Sequence, residues 1–280
     1  MRATVLGPAT FLLDRVADDF AERLSVVTRP FEVAVDLGTP GDAVRRRLTG
    51  RAGSILAIDS ITAHICRERL AVAADEEALP LRDASVDLVV SALALHFVND
   101  LPGALIQIRR ALKPDGLFLA AMIGGESLAE LRTAFTAAEA ELEGGISPRV
   151  APFVDVRALG ALLQRAGLAL PVTDVDRVTV RYASPIALMH DLRRMGAGNV
   201  LVDRRRTPLR RSTLRRVLEI YADRFADGDG RVRATFEVVW LSGWAPHENQ
   251  QRPLAPGSAT TRLADALGTK EISTGEKTER

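Results

Sequence analysis

Apolar positions in this chain change period repeatedly, and each change marks an element. The densest run is Val86–Leu93, where Val86, Leu88, Val89, Val90, Ala92 and Leu93 leave almost no polar face. A run this short and apolar on both sides predicts a central parallel strand covered on both faces. Beyond His96-Phe97-Val98 the period becomes helical, with Ala104, Leu105, Ile108, Ala111 and Leu112 on one stripe and Asn99 or Asp100 placed to cap it. Proline cannot continue the helix, so it should end at Lys113, with Pro114-Asp115-Gly116 as a turn and Leu117–Ile123 as the next strand.

The same reading extends along the chain. Thr10 is placed to cap a helix with Leu13, Val16, Ala17, Phe20 and Leu24 on one face; then follow a strand Phe31–Asp36, a Gly38-Thr39-Pro40-Gly41 turn and a helix Asp42–Leu48. Next come a strand Ser54–Asp59, a helix Ile61–Arg69 and a strand Leu70–Ala74. After Gly124-Gly125 a helix Glu126–Glu143 precedes a loop over 144–149. The helix Asp155–Ala166 buries Val156, Leu159, Leu162, Leu163 and Ala166, with Gly167 as its cap. Strands Val172–Tyr182 and Arg231–Trp240 enclose two helices, Pro185–Met195 and Arg210–Phe225. Alternating strands and helices predict an α/β fold, a mostly parallel sheet with helices on both faces and a helical insertion before the last strand. One domain over 1–267 is expected, with its core at 31–123 and a sheet-completing cap at 124–246. The tail 268–280 lacks apolar periodicity and should be disordered.

Composition narrows the function. At 280 residues and 47% hydrophobic content the chain can build a large core. Its 37 basic and 36 acidic side chains create no global field toward nucleic acid or an anionic membrane. Cys66 is the single cysteine, which excludes an internal disulfide or a multi-cysteine metal site and suits a reducing compartment. No apolar run is long enough to span a bilayer, and the first residues lack a secretory pattern, so a soluble cytoplasmic protein is expected. Arg204–Arg211 is the densest basic cluster. Without interleaved aromatics it predicts docking to an acidic protein surface and not nucleic-acid binding.

Candidate chemistry gathers at predicted strand ends. A strand ending at Asp36, glycines at 38 and 41, and a following helix make a nucleotide-contacting corner, since glycine lets backbone approach a ligand. A plain turn would look similar. Asp59 ends the next strand, twenty-three residues beyond Asp36 and near the ~20-residue spacing of a ribose-binding carboxylate, though such an acid also commonly caps a helix. Asp75 and Glu76 end the third strand, or form a solvated turn, and Ser91 ends the fourth. Open α/β sheets bind ligands at these ends. His64, His190 and His247 are scattered, so no metal site is expected.

The acidic residue before Ala78-Leu79-Pro80, then Asp87-Leu88-Val89-Val90-Ser91 and Leu112-Lys113-Pro114-Asp115-Gly116, resemble the core of class I S-adenosylmethionine-dependent methyltransferases of the type 11 group. LHFVNDLPGALIQIRRALKPDGLFLAAMIGGESLAELR, SPRVAPFVDVRALGALLQRAGLALPV, DLRRMGAGN and SGWAPHENQQRPLAPGSATTRLADAL are similar to a narrower family, the methyltransferase-fold assembly factors for respiratory complex I and their bacterial relatives. The resemblance implies a Rossmann-like, seven-stranded sheet ending in an antiparallel pair, and S-adenosylmethionine or S-adenosylhomocysteine as cofactor. It places Asp75 or Glu76 at the adenine amino group, and His96, just beyond the Ser91 strand, near the methyl group as a candidate base. His96 between Leu95 and Phe97 equally reads as a packing residue. A protein client is implied, with three activities open: methyl transfer, arginine hydroxylation, or a non-catalytic assembly role. The chain departs from the family in two places. A Phe-Asp-Arg signature that precedes the first helix there is missing here. In the Asp-x-Gly-x-Gly-x-Gly loop, Pro40 and Asp42 stand at the later glycine positions, with Gly41 displaced by one. Proline removes a donor and an aspartate would oppose the cofactor's carboxylate, so weakened binding is expected.

Overall fold

The computed structural model describes residues 8–251, 258 and 261–270. The chain divides after Pro246 into two units. In the second, His247 and Gln250 close a turn and a short helix spans Leu263–Ala266. Of the tail expected to be disordered, 271–280 lie outside the described residues.

The first unit is built on seven strands, β1 (Phe31–Leu37), β2 (Ala52–Asp59), β3 (Ala71–Ala73), β4 (Val86–Ala92), β5 (Leu112–Ile123), β6 (Ala169–Tyr182) and β7 (Val232–Trp244). Their order in the sheet is β3-β2-β1-β4-β5-β7-β6. The first five run parallel to one another, and β7 is antiparallel to both β5 and β6. This is the Rossmann-like, mostly parallel sheet expected, and strand order reverses between β1 and β4, the switch point at which such sheets bind ligands. All seven residues of β4 are buried, as its two-faced apolar run requires.

Helices cover both faces. One core joins the sheet to α1 (Phe11–Ser25), α2 (Ala43–Leu48), α5 (Ala129–Leu142), α7 (Pro185–Arg194) and α8 (Arg211–Phe225). The other joins it to α4 (Leu101–Ala111) and α6 (Val156–Arg165). A short α3 (Thr62–Ile65) links β2 to β3. The insertion before β7 holds α7 and α8, as expected. Trp240 of β7 is 2% exposed; the Phe20 ring meets it edge-on at 4.9 Å and the Arg23 guanidinium lies 4.3 Å over it, anchoring α1 to the sheet.

Several boundaries move for physical reasons. Leu12 is buried in place of Leu13, and Thr10 stands before α1 without a side-chain capping bond. Asp100, not Asn99, caps α4, accepting from Gly103 N at 2.9 Å. That helix stops at Ala111, and Lys113–Gly116 lies within β5 as a bulge, since Val86 pairs with Leu112 but Leu88 with Leu117. Lys113 holds it there, its Nζ 3.0 Å from Asp87, whose carboxylate also accepts from Val33 N at 2.9 Å. The helix expected over Ile61–Arg69 keeps four residues, and Glu68 instead pairs with Arg45 at 3.0 Å. Among the described residues no helix is long and apolar enough to cross a membrane.

Candidate active site

The corner after β1 is closely packed and hydrogen-bonded. Gly38 follows β1 with φ +68°, and a Cβ there would come within 2.8 Å of a Glu76 carboxylate oxygen and 2.9 Å of Ala94, so only glycine fits. Gly41 also has a positive φ, +81°, but faces open space. Thr39 is buried; its hydroxyl donates to Asp36 and accepts from Ala92 N at 3.0 Å, tying the turn to the end of β4. Asp36 is 1% exposed and is paired by Arg45 Nη1 at 2.6 Å. Burial pushes its carboxyl up to about 6, with Arg45 opposing the rise. Arg45, itself 5% exposed, also reaches Glu68 and the His64 carbonyl.

Asp59 ends β2 and is 2% exposed. One oxygen accepts from Ile61 N at 2.6 Å and the other meets His64 Nδ1 at 2.8 Å. Beyond β3 the acidic pair splits. Asp75 is exposed and accepts from Glu77 N at 2.8 Å, whereas Glu76 turns in against Gly38. Burial raises the Glu76 carboxyl, and the neighbouring Asp59 and Asp75 charges add to the rise. Ser91 of β4 is fully buried and its hydroxyl has no partner. The strand ends one residue before the expected Leu93, which takes a left-handed φ of 54° and turns the chain into a 3-10 turn at Leu95–Phe97. A bulky residue there stores strain of about 1–3 kcal/mol, which surrounding packing must hold. His96 sits in this turn with its Nδ1 buried and unpartnered, its ring 4.1 Å from that of Phe97 and edge-on to Phe153 at 6.1 Å. Burial lowers its pKa to about 4, so the imidazole is neutral at pH 7.

The structure therefore gathers Asp36, Gly38, Asp59 and Glu76 at one sheet edge, with Ser91 on the adjoining strand; Asp75 and Gly41 stand at its margin. These groups fit a ribose-bearing cofactor. Two buried-side carboxylates supply acceptors for hydroxyl and amino donors, Gly38 leaves the backbone bare, and the orphaned Ser91 hydroxyl needs a partner. Sequence reasoning missed Thr39 and Arg45. The unfavourable reading of Asp42 softens, because its carboxylate is exposed and 3.4 Å from Arg46, and α2 is only six residues long.

A pocket of about 610 Å³ is bounded by Gly125 after β5, by α5 and by the loop that carries Arg149 and Phe153. Phe153 joins it to His96.

A methyltransferase-domain model matches residues 35–120, the segment that carries the carboxylates and Ser91. Over 262 residues the chain is 38% identical to the mitochondrial arginine-hydroxylase NDUFAF5 of Danio rerio, covering 91% of this chain and 81% of that protein. The chain belongs to the NDUFAF5 family. This family member is also 37% identical over 248 residues to the malonyl-[acyl-carrier protein] O-methyltransferase of Halorhodospira halophila, covering 85% of this chain and 82% of that one. The solved phosphoethanolamine N-methyltransferase 2 of Haemonchus contortus, in complex with S-adenosylhomocysteine, matches with a TM-score of 0.50 and 14% identity, over 86% of this chain and 54% of that one. That likeness carries the fold alone. The NDUFAF5-family chain is thus a protein of the S-adenosylmethionine-dependent methyltransferase fold.

Proposed function

We propose that this chain is an S-adenosylmethionine-dependent methyltransferase that acts on a protein client linked to complex I assembly, in the cytoplasm. The observation that carries the reading is the convergence of Asp36, Gly38, Asp59, Glu76 and Ser91 on the carboxyl edge of the sheet, in a chain of this family. Asp59 would take the ribose hydroxyls, giving up its bond to His64. Glu76, with Asp75 outside it, would face the adenine side, and Gly38 lets the cofactor approach the backbone. Asp36, held by Arg45 and Thr39, braces the turn. When bound, the cofactor supplies a methyl group on a positively charged sulfonium. The chain has then to place an acceptor in line and keep water away. An acceptor carrying a proton would need a base, and His96 Nδ1 is free to receive one. With a pKa of about 4 it is a weak base, so an acceptor already deprotonated suits the site better.

Arginine hydroxylation is the second reading, favoured by the 38% identity to a protein that bears that name. Incubation of the chain with S-adenosylmethionine and a co-purified client, followed by intact-mass measurement, separates the two. A methyl group adds carbon and hydrogen, a hydroxyl adds only oxygen. Methylation of the client supports the first reading; an added oxygen, or an unmodified client that stays bound, replaces it with hydroxylation or with an assembly role.

A further inference from the structure

The charges around the glycine corner do not balance. Asp36 is answered by Arg45 at 2.6 Å, the same guanidinium meets Glu68 at 3.0 Å, and Asp59 meets His64 at 2.8 Å. Glu77 is engaged elsewhere, accepting from Asn99 N at 2.7 Å. Glu76 is different. It starts on the adenine side of the strand end, but its carboxylate reaches back over Gly38, with one oxygen 2.8 Å from where a Cβ on that glycine would stand. Only a bare glycine lets the carboxylate lie there. No basic side chain among the described residues pairs with it, and the charges that act on it are those of Asp59 and Asp75. Burial and these like charges raise its carboxyl. A half-buried carboxylate beside like charges destabilises the empty corner, and a cation entering it relieves that cost. The Ser91 hydroxyl, fully buried on the adjoining strand without a partner, likewise belongs to a site short of its ligand.

We propose that Glu76 is the counter-charge for the cofactor's sulfonium, so that this corner selects S-adenosylmethionine over S-adenosylhomocysteine; the assignment rests on the cofactor reading above. The two ligands differ by a methyl group and by one positive charge on sulfur, and share every other group. Asp59 and the backbone at Gly38 treat them alike, whereas an unpaired carboxylate in a half-buried corner, where charges are screened less than at the surface, does not. When the methyl group leaves, the carbon–sulfur electron pair stays on sulfur and cancels its charge. The corner then loses its attraction for the product, which favours exchange for a fresh cofactor. Because the charge falls along the reaction, the contact aids binding and exchange and not the rate of transfer itself.

Calorimetric titration of the full chain with S-adenosylmethionine, S-adenosylhomocysteine and sinefungin tests this, since sinefungin carries an ammonium group in place of the methylsulfonium. The two cationic ligands should each bind about tenfold more tightly than S-adenosylhomocysteine. Glu76→Gln keeps the shape over Gly38 and removes the charge. It should bring the three affinities to within about twofold of one another, mainly by weakening the cationic ligands. Without ligand, the variant should unfold at no lower temperature than the wild type, because the repulsion leaves with the charge; a carboxylate kept for structure alone would give a drop. Glu77→Gln, which keeps an acceptor for Asn99, should leave the ratios unchanged. Equal binding of S-adenosylmethionine and S-adenosylhomocysteine by the wild type, or sinefungin siding with S-adenosylhomocysteine, would overturn the proposal. So would a parallel loss of all three ligands in Glu76→Gln, the mark of a hydroxyl or adenine contact, or an equal change of ratio in Glu77→Gln. Absence of binding by all three would remove the cofactor reading and this assignment with it, whereas a wrong ratio removes the assignment alone.

Discussion

Replacing Arg45 with methionine should destabilise the corner that carries the candidate cofactor site, and should do so in a pH-dependent way. The wild-type pair is short, 2.6 Å, and its side chains are 6% and 0% exposed. Removing one member of such a pair leaves a charge buried without compensation, at a cost of about 3–5 kcal/mol. Asp36 is already raised to about 6 by burial with Arg45 opposing, so in the variant its pKa rises further. A carboxyl raised in the folded state binds its proton more tightly folded than unfolded. Its contribution is therefore favourable at low pH and is lost as pH rises through the folded value. The deficit should be full near about pH 8 and shrink toward about pH 5, where Asp36 escapes by protonation. Urea unfolding followed by circular dichroism across that range measures it, with Asp36→Asn/Arg45→Met expected to recover a large part of the loss at high pH. An equal deficit at every pH, and a double variant no better than the single one, would mean that Arg45 acts through its packed stem and that the charge pair is incidental.

Asp59→Ala should lower cofactor affinity at least tenfold, since charge-assisted hydrogen bonds are worth roughly 1.5–3 kcal/mol each; unchanged calorimetry in a folded variant would place the ribose elsewhere. Pro40→Gly should tighten cofactor binding by restoring a backbone donor, whereas Asp42→Gly alone should change it by less than about twofold, because Asp42 is exposed and paired with Arg46. A clear gain from Asp42→Gly would restore the repulsion argument. Arg205 and Arg210 both reach Glu143, so the docking role of the arginine cluster falls to its other members. Serine at Arg204, Arg206 and Arg211 should spare cofactor affinity and weaken client binding in a salt-dependent manner, and loss of cofactor binding in pull-down-competent, folded protein would count against it.

The parallel core was legible because burial on both faces makes β4, and most of β1, predominantly apolar, with Asp87 and Ser91 the polar residues of β4 and Glu32 and Asp36 those of β1. Where burial fades, so does the signal. β3 is an exposed edge strand of three residues, and the apolar run from Leu70 to Ala74 overstated it. Strand-terminal Asp36 and Asp59 could be read from period and spacing, since each closes an apolar run. Arg45 could not. It sits in a run of three arginines whose fates differ: Arg45 is buried against Asp36, Arg46 is exposed, and Arg47 reaches Asp18 at 2.7 Å. Only tertiary packing separates them. The pocket is likewise made by a loop with no period, in which Arg149 is held by Glu139, ten residues back on a helix. The Pro114-Asp115-Gly116 turn read correctly as an irregularity, but its place inside β5, with Lys113 in the strand and not in the helix, depends on Asp87 across the sheet.

We propose that the carboxyl edge of this sheet holds S-adenosylmethionine or its demethylated product. Calorimetric titration of the full chain with both ligands addresses it most directly. Each should give saturable one-site heat, accompanied by a rise in unfolding temperature that Asp59→Ala removes. Absence of heat and of any thermal shift at millimolar ligand would contradict it, and would leave the gathered carboxylates as structure alone.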